Sequence, residues 1–239
     1  MIKIQNLTKV FKIEHEKKRT IFELLIHLFE KKSKIEKLYA LKNINFEIND
    51  GDFIGIIGRN GSGKTTLLKI ISKILVPTKG SVIVRGKVIS FLELGVGFHE
   101  DLTAKENVYL YGALIGMTKK EIDKKFNKII QFSNLEKFVD TRLRSFSSGM
   151  KVRLAFSTAI QTNFNILILD EILAVGDKDF QKKCYDIFNK FSKQGKTIIL
   201  TSHDLDVVNK FCNKVLLLDR GKRILFDKTD KVLKKYSRI

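Results

Sequence analysis

Residues 52–70 read DFIGIIGRNGSGKTTLLKI, and three patterns meet in and just beyond them. Phe53 to Ile57 make an apolar, strand-like run, residues 58–65 spell G-x-x-x-x-G-K-T, and Leu67, Leu68 and Ile71 recur at helical spacing. Glycines in such a loop let the backbone curl until several N–H groups point at phosphate oxygens, and the helix that follows adds its positive N-terminal end. Read this way, Gly58, Asn60, Gly61, Ser62, Gly63, Lys64, Thr65 and Thr66 form a cradle for a nucleoside triphosphate. Lys64 reaches the β- and γ-phosphates, and Thr65 offers its hydroxyl to Mg²⁺. An ordinary glycine turn, the competing reading, does not account for a strand on one side and a helix on the other.

Two further strand ends belong to the same argument. The apolar run Ile166 to Leu169 finishes in Asp170 and Glu171. A carboxylate at the C-terminal edge of a buried parallel strand lies beside the phosphate loop in this kind of fold, so Asp170 is placed to hold Mg²⁺ through water. Glu171 is then placed to orient or deprotonate the attacking water. An acidic pair after a strand is often no more than a helix N-terminus, and here the phosphate loop decides against that. Thr197 to Thr201 leads into Ser202-His203-Asp204, which makes His203 a candidate γ-phosphate sensor rather than an ordinary structural histidine.

Composition bounds the rest. The chain of 239 residues has a single proline, Pro77, so it contains no proline-rich linker and reads as one compact unit. Cys184 and Cys212 lack metal-ligand spacing and fit a reduced, cytoplasmic protein in which both are small buried residues. No stretch approaches the roughly 20 apolar residues of a spanning helix, and the N-terminus lacks a signal-peptide layout. A formal net charge of +19 could serve nucleic acid, an anionic lipid surface or a polyanion, or be only a solvated surface with compositional bias.

Between the phosphate loop and the acidic pair lies RSFSSGMKVRLAFSTAI, residues 144–160. Its Phe146-Ser147-Ser148-Gly149-Met150, opening a helix, resembles the LSGGQ signature of ABC-type ATPases, with Ser148 in place of a Gly and Met150 in place of the Gln. Ser147, Ser148, Gly149 and the helix N-terminus still offer hydroxyl and N–H donors to a γ-phosphate. In that family the loop faces the nucleotide of the other subunit, so the resemblance implies a head-to-tail homodimer with two composite ATP sites. It also implies that Phe11 stacks on adenine, that Asp177 belongs to the loop along the dimer interface, and that His203 is the switch histidine. One position departs: SFLELGVGFHEDLTAKEN, residues 90–107, lacks the family's glutamine, and Glu93 is the nearest polar candidate for a metal or water contact.

FLELGVGFHEDLTAKENVYLYGALIGM, FSSGM and DEILAVGD together resemble the ATP-binding subunits of polysaccharide exporters, which move O-antigen, capsule or teichoic acid chains. The fold this implies is α/β: an ABC-type P-loop ATPase with a RecA-like parallel-sheet core, N-terminal antiparallel β strands and an inserted helical lobe. The expected layout is a single nucleotide-binding domain over residues 1–239, with core 1–97 and 161–239, a lobe at about 98–160 and an insertion at about 12–38. Inside the lobe, Thr103 with Glu106 and Thr118 with Glu121 read as capping boxes, and Ile122, Phe126, Ile129 and Ile130 give the second helix an apolar face. VLLLDRGKRILF, residues 215–226, reads as two strands about a turn, followed by a basic tail.

The insertion carries RTIFELLIHLFEKK, residues 19–32. Its apolar side chains cover an arc of roughly 200°. At about 18 Å for residues 20–31 the helix is too short to span a bilayer. It is expected to lie peripherally at the inner face of the cytoplasmic membrane, against a separate transmembrane permease subunit, with its lysines near anionic headgroups. Packing wholly on its own domain is the alternative. An ABC importer subunit would share the catalytic residues but not explain the insertion. A soluble ABC ATPase acting on nucleic acid would bring two cassettes or a long coiled coil, so no nucleic-acid partner is expected.

Overall fold

A computed structural model describes residues 1–14, 35–92, 95–170 and 177–238. In chain order the described elements are β1 (Ile2–Glu14), β2 (Ile35–Ile48), β3 (Phe53–Ile57), α1 (Lys64–Ile71), β4 (Lys79–Val84) and β5 (Val88–Ser90). Then follow α2 (Ala104–Leu114), α3 (Lys119–Ser133), α4 (Ser148–Ala159), β6 (Ile166–Asp170), α5 (Lys178–Lys193) and β7 (Thr197–Thr201). The chain finishes with α6 (Leu205–Phe211), β8 (Lys214–Asp219), β9 (Lys222–Lys228) and α7 (Thr229–Tyr236).

The strands form a six-stranded sheet, order β5-β6-β7-β3-β8-β9, parallel except for the β9 edge, and a three-stranded antiparallel sheet, order β2-β1-β4. Strands buried on both faces need continuous apolar runs, and FIGII and TIILT are buried at every position. One face of the parallel sheet packs Leu167, Ile198 and Leu200 with Phe156, Phe188 and Val208; the other packs Ile54, Ile56 and Ile168 with Leu67, Leu68 and the N-terminal sheet. At the sheet's lower edge Asp52 joins three segments. Its carboxylate accepts hydrogen bonds from the Asn49 N–H at 2.9 Å, Asn213 Nδ2 at 2.9 Å and Lys214 Nζ at 2.9 Å. Burial by itself raises the Asp52 pKa, but the bonds from Asn213 and Lys214 outweigh it and hold the carboxyl below the usual aspartate range.

The lobe has its own small core, in which Val108, Ile122, Ile129, Leu143 and Leu154 meet. Both expected capping boxes form: Thr103 and Thr118 accept from the N–H of Glu106 and Glu121, whose carboxylates accept in return. On α3, Ile122, Ile129 and Ile130 are buried and Phe126 partly so.

Three expectations need correction or limits. Within the expected insertion at 12–38, the β1–β2 ladder continues through Lys12↔Lys37, Ile13↔Glu36 and Glu14↔Ile35. The helix expected at 20–31 lies outside the described residues. The basic tail is not a tail: Thr229–Tyr236 is helical, buries Val232 against the core and donates from the Thr229 hydroxyl to the Cys212 carbonyl at 2.5 Å. Cys184 and Cys212 are free and buried, and burial pushes both thiols up to about 12. Among the described residues no helix is long and apolar enough to cross a membrane.

Candidate nucleotide site

The loop of residues 58–63 joins β3 to α1 at the C-terminal edge of the parallel strands. It is squeezed between two neighbours. Gly58 and Gly63 have φ of +149° and +106°, and a Cβ would lie 2.1 Å from the Leu218 carbonyl at the first and 2.6 Å from the Ala40 carbonyl at the second. No other residue type fits there. The β8–β9 turn clamps the loop from outside, since the Gly221 N–H donates to the Ser62 carbonyl at 3.0 Å and the Gly221 carbonyl accepts from the Lys42 N–H at 2.7 Å.

Lys64, only 7% exposed, donates through Nζ to the carbonyls of Gly58 at 2.8 Å and Arg59 at 3.3 Å. Among the described residues its hydrogen-bond partners are carbonyl dipoles, a setting in which the ammonium suits an anion seated in the loop. Next to it the Thr65 hydroxyl donates to Asp170 Oδ2 at 3.2 Å. The other Asp170 oxygen accepts from the buried Thr201 hydroxyl, because Asp170 and Thr201 are paired across β6 and β7. Thr65 and Asp170 thus offer hard oxygen ligands at one point, the donor chemistry that Mg²⁺ takes.

His203 follows β7 on the same edge and is exposed; Asp204 beside it caps α6 by accepting from the Asp206 and Val207 N–H groups at 2.9 and 3.3 Å. The sheet therefore brings together the phosphate loop, Asp170 and His203. Asn60 and Gly61 are exposed at the loop tip, and Thr66 is half-buried in the first turn of α1. Beside that tip is a cleft of about 350 Å³ lined by Arg59, Asn60, Gly61, Ser62, Asp219 and Arg220. Sequence reasoning missed Arg59 and Arg220. The first was legible inside the motif, whereas the second arrives only through the β8–β9 turn.

The signature residues sit apart, on the lobe. Ser147 is the N-cap of α4 and accepts from the Met150 N–H at 3.2 Å, which leaves its own hydroxyl hydrogen to donate elsewhere. Ser148 is exposed, and a Cβ on Gly149 would meet nothing closer than Ser147 Oγ at 3.9 Å, so the first turn of α4 is open to a ligand or partner. Asp177 caps α5, its Oδ1 accepting from the Phe180 N–H at 2.8 Å, while Oδ2 takes Arg153 Nη1 at 3.2 Å. Phe11 is half-buried opposite Leu38, with Lys9 Nζ 5.1 Å from its ring centroid. Glu171 and Glu93 lie outside the described residues.

Comparison with known proteins gives the relatives of this chain. A family model described as "ABC transporter" matches residues 41–174. The O-antigen export system ATP-binding protein RfbB of Klebsiella pneumoniae is 38% identical over 99% of this chain and 97% of that protein. The teichoic acids export ATP-binding protein TagH of Bacillus anthracis is also 38% identical, over the whole of this chain but 44% of its own length. Among solved structures, an ATP-binding cassette dimer in a post-hydrolysis state with ADP and Pi superposes with a TM-score of 0.76 at 26% identity, covering 96% of this chain and 99% of that one.

Proposed function

Because the chain belongs to the ABC transporter family and is one of its ATP-binding, ATP-hydrolysing subunits, we propose that it powers an exporter of lipid-linked polysaccharide or teichoic acid. It acts as a homodimer at the cytoplasmic face of the cell membrane and drives the polymer through a separate transmembrane permease. Likeness over nearly its whole length to an O-antigen export protein supports the cargo class, and the dimeric solved cassette supports the pairing.

The catalytic reading is carried by Lys64, held inside the loop beside the Thr65–Asp170 contact. ATP phosphates accept from the N–H groups of Gly58 to Thr66 and from Lys64, with adenine on Phe11. Thr65 and Asp170 would hold Mg²⁺, with Glu93 as a further metal or water contact; when bound, the ion supplies positive charge to the phosphate oxygens. Glu171 orients or deprotonates the attacking water, and His203 contacts the γ-phosphate. Ser147, Ser148 and Gly149 of a second copy close over that phosphate, and Asp177 runs along the interface. The whole chain works as one nucleotide-binding domain, its lobe at about 98–160 carrying the signature. The segment 20–31, read from its sequence as a helix, lies against the permease at the membrane boundary.

The test separates binding from turnover. Glu171→Gln should bind ATP, lose hydrolysis and accumulate as an ATP-bound dimer on size-exclusion chromatography, while Lys64→Ala should lose ATP binding. A Glu171→Gln protein that hydrolyses ATP at the wild-type rate removes Glu171 from the mechanism. In cells, depletion of the protein should trap lipid-linked polymer inside; normal surface polymer would overturn the transport reading.

A further inference from the structure

Thr201 ends β7, between the strand that carries Asp170 and the strand that feeds the phosphate loop. It is paired with Asp170 of β6 on one side and with Ile56 of β3 on the other. Partners in a parallel ladder turn their side chains to one face, here the face that packs against α1. On that face the three strands offer Ile54, Ile56, Ile166, Ile168 and Ile199, all buried and aliphatic. Thr201 is fully buried beside them, and it is polar. Valine has nearly the same shape, suits a strand equally and brings no hydroxyl to satisfy. A hydroxyl in such a row costs stability unless it finds a partner. Among the described residues it finds one, Asp170 Oδ1.

The direction of that bond matters. An ionised carboxylate only accepts, so the threonine donates, and it fixes Oδ1 on the β7 side of the group. Oδ2 is left turned to the start of α1, where the Thr65 hydroxyl meets it at 3.2 Å. The terminal torsion of an aspartate is otherwise broad, and its two oxygens can exchange places. Thr201 sits in a strand hydrogen-bonded on both sides, so it stays put if the carboxylate turns.

We propose that Thr201 is a positioning residue for the divalent cation. It holds the Asp170 carboxylate with one oxygen toward Thr65, and so sets how strongly the site takes Mg²⁺ rather than how strongly the loop takes the nucleotide. The inference rests on the reading of Thr65 and Asp170 as the Mg²⁺ residues. It gives Thr201 no contact with the ion, the nucleotide or the attacking water.

The experiment compares Thr201→Val and Thr201→Ser in the full chain. Two quantities are read: Kd for a fluorescent ATP analogue, in Mg²⁺ and in excess EDTA, and the free Mg²⁺ that half-saturates ATP hydrolysis. Thr201→Val should raise the half-saturating Mg²⁺ about tenfold, the loss typical when the hydrogen-bond partner of a metal-binding carboxylate is removed. It should also shrink the Mg²⁺-dependent gain in nucleotide affinity severalfold. Its Kd in EDTA should stay within twofold of wild type, and saturating Mg²⁺ should restore at least a third of kcat. Thr201→Ser keeps the hydroxyl and should stay within threefold of wild type in both quantities. A Thr201→Val protein with wild-type Mg²⁺ dependence would overturn the proposal. So would a Kd weakened equally in EDTA and in Mg²⁺, the mark of a disturbed loop, or a Thr201→Ser protein as impaired as Thr201→Val. If Thr201→Val fails to fold by circular dichroism, Thr201→Ala takes its place under the same criteria. A wild-type chain indifferent to Mg²⁺ in both quantities would instead sink the reading of Thr65 and Asp170.

Discussion

In the core, β3 and β7 bury every residue, whereas α3 of the lobe buries only Ile122, Ile129, Ile130 and Ser133 of its fifteen and turns lysines to water. The core holds itself by sheet hydrogen bonds and two apolar clusters. The lobe meets the core through Tyr111 and Phe132 and through several cations. Lys183 Nζ reaches Asn134 Oδ1 at 2.5 Å and the Gln131 carbonyl at 3.4 Å, Lys125 Nζ reaches the Gln161 carbonyl at 2.6 Å, and Arg153 reaches Asp177. Helix α4 belongs to both regions, with Leu154 in the lobe cluster and Phe156 in the core cluster. The lobe thus has a small core of its own but also packs Tyr111 of α2 and Phe132 of α3 against the core cluster beside α4. The strand ends that carry Asp170 and His203 belong to the sheet, whereas the signature residues stand on a helix shared between sheet core and lobe.

Four substitutions probe that division. Phe156→Ala, which removes ring contacts with Phe91, Phe132, Phe180 and Phe188, should cost about 4 kcal/mol in urea unfolding. Leu154→Ala should cost less and loosen chiefly the lobe; equal effects on the core strands in hydrogen exchange would erase the distinction. Asp52→Ala should cost about 2 kcal/mol, since it removes the acceptor shared by the Asn49 N–H, Asn213 Nδ2 and Lys214 Nζ. The sign with pH is definite: because the folded Asp52 pKa is depressed, its contribution is complete above the unfolded value of about 4 and is lost as pH falls through the folded value. Asp52→Asn should therefore flatten the acid limb of the stability curve, and an unchanged limb would contradict the carboxylate's role at the sheet edge.

Smaller effects belong to the lobe. Thr118→Ala removes the α3 capping box and should cost about 1 kcal/mol, read by thermal unfolding. Lys183→Met should change global stability by less than about 1 kcal/mol while speeding amide exchange severalfold in the last turn of α3. Faster exchange in β3 or β7 instead would mean that Lys183 supports the core.

Strand runs Phe53–Ile57 and Thr197–Thr201 were legible to the residue, because a strand buried on both faces must be apolar throughout and is bounded where polar or glycine residues begin. The capping boxes were legible because their partners are three residues apart. Helix α7 was not: among lysines, Val232, Leu233 and Tyr236 make a face only once β8 and α6 are there to receive it. The Asp52 network escaped for a related reason, its partners Asn213 and Lys214 being 161 and 162 residues away.

Local pattern thus determined the phosphate loop, the acid at the end of β6, the histidine after β7 and the signature helix, because each is written in adjacent residues that must share one backbone geometry. Tertiary structure alone decided which groups face one another across the chain: Asp170 between Thr65 and Thr201, Arg220 beside Arg59, and Asp177 shared between α5 and Arg153. Such pairings depend on strand order and on how the lobe rests on the core, and nothing in the spacing of a sequence encodes a distance that only the closed sheet creates.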